Sequence, residues 1–191
     1  NFWPNTPDIL PVSLQHKGEA AFITRAILAG TLSSNWGIYG PVFEFGINEP
    51  HPDREEYIDN EKYEIKKWEF GKETKIKSVI TKLNQIRKDN PALQTTWNIE
   101  FLDNDNSQIL SYLKWDDQKQ NHILVVVSLD DQHKQAGWVR VPLDLIGATA
   151  NKPYKITDLL SGSQYQWQNE WNYVELHPGE VPAHVFRVEV G

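Results

Sequence analysis

The sequence predicts two unlike halves: an α/β segment over residues 1–94 and an antiparallel β-sandwich over residues 95–191. Three observations carry this. Apolar residues recur at helical spacing only in the first half, around Ala20–Leu28 and Ile76–Ile86. Eight short segments of strand character, separated by turn residues, fill the second half. Charge is uneven as well: residues 1–94 carry 12 Lys and Arg against 13 Asp and Glu, and residues 95–191 carry 7 against 13.

Taken in order, the first helix is expected where Ala20, Ala21, Ile23, Ala26, Ile27 and Leu28 crowd together, ending near Ser33-Ser34-Asn35. It is apolar over most of its circumference, so it packs on more than one side. Gly37 to Gly46 is a short apolar run bounded by Gly and Pro and reads as a buried strand. Residues 48–71 are polar and long for a loop, a length that usually marks function or disorder. The second helix places Ile76, Val79, Ile80, Leu83 and Ile86 on one face, with Thr74 as N-cap and Asn90-Pro91 as its stop. Strands are expected over 97–102, 108–115, 122–129, 138–143, 154–158, 164–167, 171–176 and 184–190. The boundary between halves falls at Asn90–Thr95. The first half alone is a piece of alternating β/α architecture without the neighbouring strands that a parallel sheet needs.

Composition narrows the function. A net charge of -7 disfavours general nucleic-acid binding. With no Cys, disulfides, thiol nucleophiles and zinc–thiolate sites are excluded. No apolar run approaches the roughly 20 residues of a membrane span, and the expectation is a soluble, cytoplasmic protein. The chain has no Met and opens Asn1-Phe2-Trp3-Pro4, so it is expected to be processed or part of something longer. The six His residues show no metal-ligand spacing, and there is no phosphate loop or nucleophile elbow.

Pattern alone leaves the candidate site open. Asp8 follows aromatics and prolines where a strand could end, as active-site residues do in a (β/α)₈ barrel; a turn or capping Asp is the favoured alternative. Glu44, inside the apolar run, is read first as half of a structural ion pair. Lys62 beside Tyr63 offers donors and an aromatic face, in a context where loop Lys-Tyr pairs are common. Trp97, Trp115, Trp138, Trp167 and Trp171 are expected in the sandwich core and at its ends, with a carbohydrate surface as the alternative.

Linked motifs then point one way. The opening run from Asn1 to Leu10, Thr31-Leu32-Ser33-Ser34-Asn35-Trp36-Gly37-Ile38-Tyr39-Gly40-Pro41, Glu61-Lys62-Tyr63-Glu64-Ile65-Lys66, Ile86-Arg87-Lys88-Asp89-Asn90-Pro91-Ala92-Leu93 and Pro182-Ala183-His184-Val185-Phe186-Arg187-Val188 resemble the α-1,4-glucan:maltose-1-phosphate maltosyltransferases of the α-amylase superfamily. The resemblance covers essentially the whole chain and places it at the C-terminal end of a longer enzyme. It implies the last part of a (β/α)₈ barrel over 1–94, followed by a C-terminal antiparallel β-sandwich over 95–191. The implied reaction transfers maltosyl from α-maltose 1-phosphate to the non-reducing end of an α-1,4-glucan, with retention and release of phosphate. It needs no cofactor and no metal.

Retention calls for two carboxyl groups roughly 5 Å apart. The superfamily adds a third carboxylate that supports the transition state, and Asp8 matches it. Lys62 and Tyr63 match residues that hold the donor maltosyl unit. The nucleophile and the acid/base have no counterpart in this sequence, so the chain alone is expected to be inactive. Pro7 stands where most of the superfamily has His, as in the maltosyltransferase branch. Maltose 1-phosphate and a glycogen-like glucan are the implied partners, without nucleic acid or membrane, and a homodimer is an admitted assembly. Two other readings stay open: a carbohydrate-binding or a purely structural sandwich of an α-amylase-like glycoside hydrolase.

Overall fold

The protein is described by a computed structural model covering residues 1–191. Helix α1 spans Glu19–Leu32, and both flanks of it are buried, as its apolar circumference requires. Helix α3 spans Lys75–Asp89 and buries the five predicted positions, Ile76, Val79, Ile80, Leu83 and Ile86. Its N-cap is Thr74, whose hydroxyl accepts from the amide of Lys77 at 3.1 Å. Asn90 ends it, and a 3₁₀ turn over Pro91–Gln94 follows. The two helices cross closely at Gly30, where a Cβ would sit 2.5 Å from Leu83 Cδ2.

One predicted strand is not there. Gly40–Glu44 forms a short helix, α2, with Pro41 in its first turn, where proline's fixed φ favours a helix start. Adjacent Val42 and Phe43 are both buried, which a one-sided strand would not allow. Only Trp36 pairs, in a parallel bridge to Phe2. Residues 48–71 hold no helix or strand, only turns and a bridge between Pro50 and Tyr57.

All eight strands of the second half form. They are β1 (Ile99–Phe101), β2 (Ile109–Trp115), β3 (His122–Ser128), β4 (Gln135–Arg140), β5 (Pro153–Asp158), β6 (Gln164–Gln168), β7 (Trp171–Leu176) and β8 (Ala183–Glu189). β4 begins earlier than predicted and stops at Arg140, because Pro142 intervenes and Leu143–Ile146 turns into helix α4. Every pairing between these strands is antiparallel. A six-stranded sheet runs β1-β2-β3-β8-β5-β6, and a two-stranded sheet, β4-β7, faces it.

The six-stranded sheet is covered on both faces. Leu124, Val126, Phe186 and Val188 pack with Val139 and Val174 of the small sheet. Tyr112, Ile123, Val125, Val127 and Val185 point the other way and join the core of α1 and α3. Every residue of β3 is therefore buried, which explains its unbroken apolar run. Polar links fasten the helices to the sheet. Thr31 Oγ1 lies 2.5 Å from the Tyr112 hydroxyl. Lys114 Nζ donates to the carbonyls of Thr95 at 2.6 Å and Leu32 at 3.4 Å. Arg87 donates to the carbonyls of Gly30, Ser33 and Ser34. Together these cations cap the C-terminus of α1, which has no basic residue in its own last turn.

The tryptophans depart from expectation. Trp97 is 89% exposed, and Trp138 and Trp171 are 47% and 45% exposed. On β7 the alternation buries Asn172, Val174 and Leu176 and turns Trp171, Tyr173 and Glu175 outward. Glu175 shares a face with the aromatics, and a carboxylate resists burial, so the aromatic face is the wet one. Trp115 and Trp167 alone of the five pack against the sandwich core.

Candidate functional site

Asp8, Lys62 and Tyr63 come from segments 54 residues apart in sequence, and the fold brings them together. Lys62 Nζ lies 3.3 Å from Asp8 Oδ1 and 5.6 Å from the centre of the Tyr63 ring. All three are open to solvent. The ammonium of Lys62 is held above its ordinary value, first by its hydrogen bond to Asp8 and then by that carboxylate's charge. The cluster is thus a carboxylate, a cation and an aromatic ring displayed on one surface.

Two buried asparagines position it. Asn5 donates to the Tyr57 hydroxyl at 2.8 Å and the Tyr39 carbonyl at 3.2 Å, and accepts from the Tyr39 amide at 2.9 Å. It joins the opening segment, the entry to α2 and the long loop at one point. Asn60 donates to the Pro7 carbonyl at 2.8 Å and accepts from the Lys62 amide at 2.9 Å. One side chain therefore fixes the residue before Asp8 and the backbone of Lys62. Leu10 and Glu55 add a main-chain bond of 2.9 Å.

Beside them, Glu61 accepts from the Tyr39 hydroxyl at 2.5 Å and the Trp68 indole at 2.7 Å. Those two donors hold its carboxyl below the usual range. Burial, followed by the bond to Glu61, pushes the Tyr39 hydroxyl up to about 12. Tyr39, Glu61, Lys66 and Trp68 line a small cavity of about 40 Å³. Its size admits little more than water, so it braces the loop rather than receiving a sugar.

Asn5, Asn60 and Glu61 were not singled out from sequence. An Asn two residues before a Lys is the local signal of a side-chain-to-backbone turn, and Asn60-Glu61-Lys62 carries it. Glu44, read as half of an ion pair, is half-buried at the end of α2, and what it offers its surroundings is its carbonyl, which accepts from Thr74 Oγ1. No group of three or more His, Asp or Glu could share a metal ion.

Known proteins resemble this chain in sequence and in fold. A family model described as "GLGE, C-terminal" matches residues 101–188. The α-1,4-glucan:maltose-1-phosphate maltosyltransferase of Chlorobaculum tepidum is 47% identical over 196 aligned residues, covering 100% of this chain and 29% of its own. That of Methylacidiphilum infernorum is 47% identical over 98% of this chain and 28% of its own. The chain thus spans under a third of the length of these relatives. Among solved structures, a maltogenic α-amylase from Thermotoga neapolitana superposes with a TM-score of 0.67 at 11% identity, over 100% of this chain and 40% of that one. A γ-cyclodextrin glucanotransferase from an alkalophilic Bacillus clarkii gives 0.65 at 16% identity, over 98% and 26%. Those two likenesses show the fold. From end to end, this chain corresponds in sequence to the C-terminal portion of the α-1,4-glucan:maltose-1-phosphate maltosyltransferases.

Proposed function

We propose that the chain serves a retaining maltosyltransferase that moves maltosyl from α-maltose 1-phosphate onto an α-1,4-glucan and releases phosphate. The observation that carries the reading is the Asp8–Lys62 pair at 3.3 Å, beside Tyr63, in a chain 47% identical to such enzymes over its full length. In this reading residues 1–94 close a (β/α)₈ barrel and residues 95–191 are its sandwich. Support for the barrel comes from the start of the chain. Phe2 and Trp36 pair in a single parallel bridge with α1 between them, the connectivity, though not the strands, of the βαβ unit from which such barrels are built. Phe2, Trp3, Ile9 and Val12 are exposed, an apolar edge that further barrel strands would cover.

Asp8 supports the positive charge that develops at the anomeric carbon, an electrostatic role that a preorganised carboxylate fills without reorganising. Lys62 steadies Asp8 and, with Tyr63, grips the donor sugar. Double displacement needs a nucleophile and an acid/base as well, and neither role falls to a residue of this cluster. Incubated with α-maltose 1-phosphate and glycogen, the isolated chain is therefore expected to release no phosphate. A chimera joining it to the upstream portion of the Chlorobaculum tepidum relative is expected to turn over. Asp8→Asn in that chimera is expected to lower kcat by at least about 10²–10³-fold. An active isolated chain, or an Asp8→Asn chimera with undiminished kcat, would remove the reading.

A further inference from the structure

The sandwich carries a second set of aromatic side chains that the Asp8 cluster does not use. The small β4-β7 sheet leaves the β6 edge of the large sheet uncovered, so exposed Tyr165 and half-buried Trp167 of β6 border the same groove as Tyr173 of β7. Between them lies a groove of about 370 Å³, in the range of small-molecule sites, about 300–1,000 Å³. Phe186 is its floor, with Trp167 edge-on at 5.2 Å, Tyr165 edge-on at 6.2 Å and His184 stacked at 4.7 Å. His184 is fixed at both ring nitrogens, Nδ1 by Asp158 at 3.1 Å and Nε2 by the Glu175 carbonyl at 3.0 Å. On the far wall the Tyr173 hydroxyl meets Glu175 Oε1 at 3.3 Å, and His177 and Glu180 complete the rim. Beyond Tyr173 the aromatic surface continues to Trp138, edge-on at 5.7 Å and 62°.

This arrangement has a definite chemistry. Aromatic faces are electron-rich, and the C–H face of a pyranose ring is weakly positive, so the two stack. The sugar hydroxyls around that face need donors and acceptors, which the hydroxyl of Tyr173, His177, Glu175 and Glu180 supply. Glu175 is paired with Lys134 at 2.9 Å; Glu180 adds a carboxylate at the rim, in a half bearing 7 basic against 13 acidic residues, and disfavours phosphorylated sugars and nucleic acid. A neutral polyol meets no such penalty. The two exposed rings Trp138 and Tyr173 are inclined to one another at 62°. Inclined rings follow a curved chain such as an α-1,4-glucan better than a flat ribbon.

We propose that the groove between β6 and β7, extended by Trp138, binds an α-1,4-glucan chain at a second place on the molecule. The choice of linkage rests on the maltosyltransferase reading; the sugar-binding character rests on the groove itself. The test is affinity gel electrophoresis of the 191-residue chain in gels containing glycogen or, as control, dextran. Glycogen is expected to retard the chain and dextran is not. Tyr165→Ala combined with Tyr173→Ala, at two exposed positions, is expected to weaken retention by at least about tenfold, while Trp97→Ala at the other edge leaves it unchanged. As a readout that needs no variant, maltoheptaose is expected to shift the Trp167 indole resonance of the wild-type chain. Absence of retardation by glycogen, equal retardation by dextran, or full retention by the double variant would overturn the proposal. No maltose 1-phosphate enters this measurement, so it succeeds or fails independently of the phosphate-release assay.

Discussion

On β2, Lys114 is fully buried, and burial followed by the nearby charge of Arg87 lowers its ammonium to about 8 from the ordinary 10.5. Between those pH values the unfolded chain keeps a proton that the folded chain has given up. Stability is therefore expected to rise as pH increases through 8. Urea unfolding between pH 7.5 and 9.0 checks this, before the tyrosines of the unfolded chain, which titrate at about 10, ionise appreciably. Lys114→Met is expected to flatten the rise, and an unchanged slope would reassign it to other groups. Arg87 and Lys114 also show why single residues are hard to read from sequence. Their partners are main-chain carbonyls, among them Ser34 at 53 residues from Arg87 and Leu32 at 82 from Lys114, and carbonyls carry no sequence signature. Asn5 escaped notice because its partners, Tyr39 and Tyr57, lie 34 and 52 residues away. Asp8, Lys62 and Tyr63 were legible only because flanking motifs resembled a family; as isolated residue types they look like any loop Asp, Lys and Tyr.

Elements were more legible where one period dominates. The 3.6-residue repeat in α3 placed all five buried positions, and Thr74 was readable as its cap. Thr74→Ala is expected to lower stability by about 1 kcal/mol in thermal denaturation, through loss of the bond to the Lys77 amide. In α2 the apolar run was too short for a period to show, and Pro41 decided for a helix. On β7 the period of two was clear but its phase was not, since Trp171-Tyr173-Glu175 and Asn172-Val174-Leu176 both alternate. The α1–α3 crossing depends on Gly30. Gly30→Ala gains helix propensity of about 1 kcal/mol but drives a methyl into Leu83, where overpacking costs about 1–3 kcal/mol. A net loss of stability is expected, and a raised Tm would show that the crossing relaxes freely.

At the scale of the whole molecule, the helices and the small sheet share one wall. Leu83 lies in the core on one face of the large sheet and Leu124 in the core on the other. Both Leu83→Ala and Leu124→Ala are expected to destabilise by about 2–5 kcal/mol. Because β3 serves both cores, each variant is expected to shift a single transition, coincident by far-ultraviolet circular dichroism and by tryptophan fluorescence. Two separated transitions would mean that the cores melt independently. The eight strands were readable because turn residues punctuate them. The joining of two cores through one sheet was not, because a strand buried on both faces loses the alternation that reveals which side it serves.

β3 also sits between β2 and β8, with both of its hydrogen-bonding edges occupied. Its amide protons are reached by solvent only when the whole molecule opens, since no local fraying exposes them. In deuterium oxide the β3 amides are expected to be the last to exchange, with those of β1 and β6, at the two margins of the sheet, among the first. The slowest of those protons then reports the free energy of the complete fold, read at a single strand.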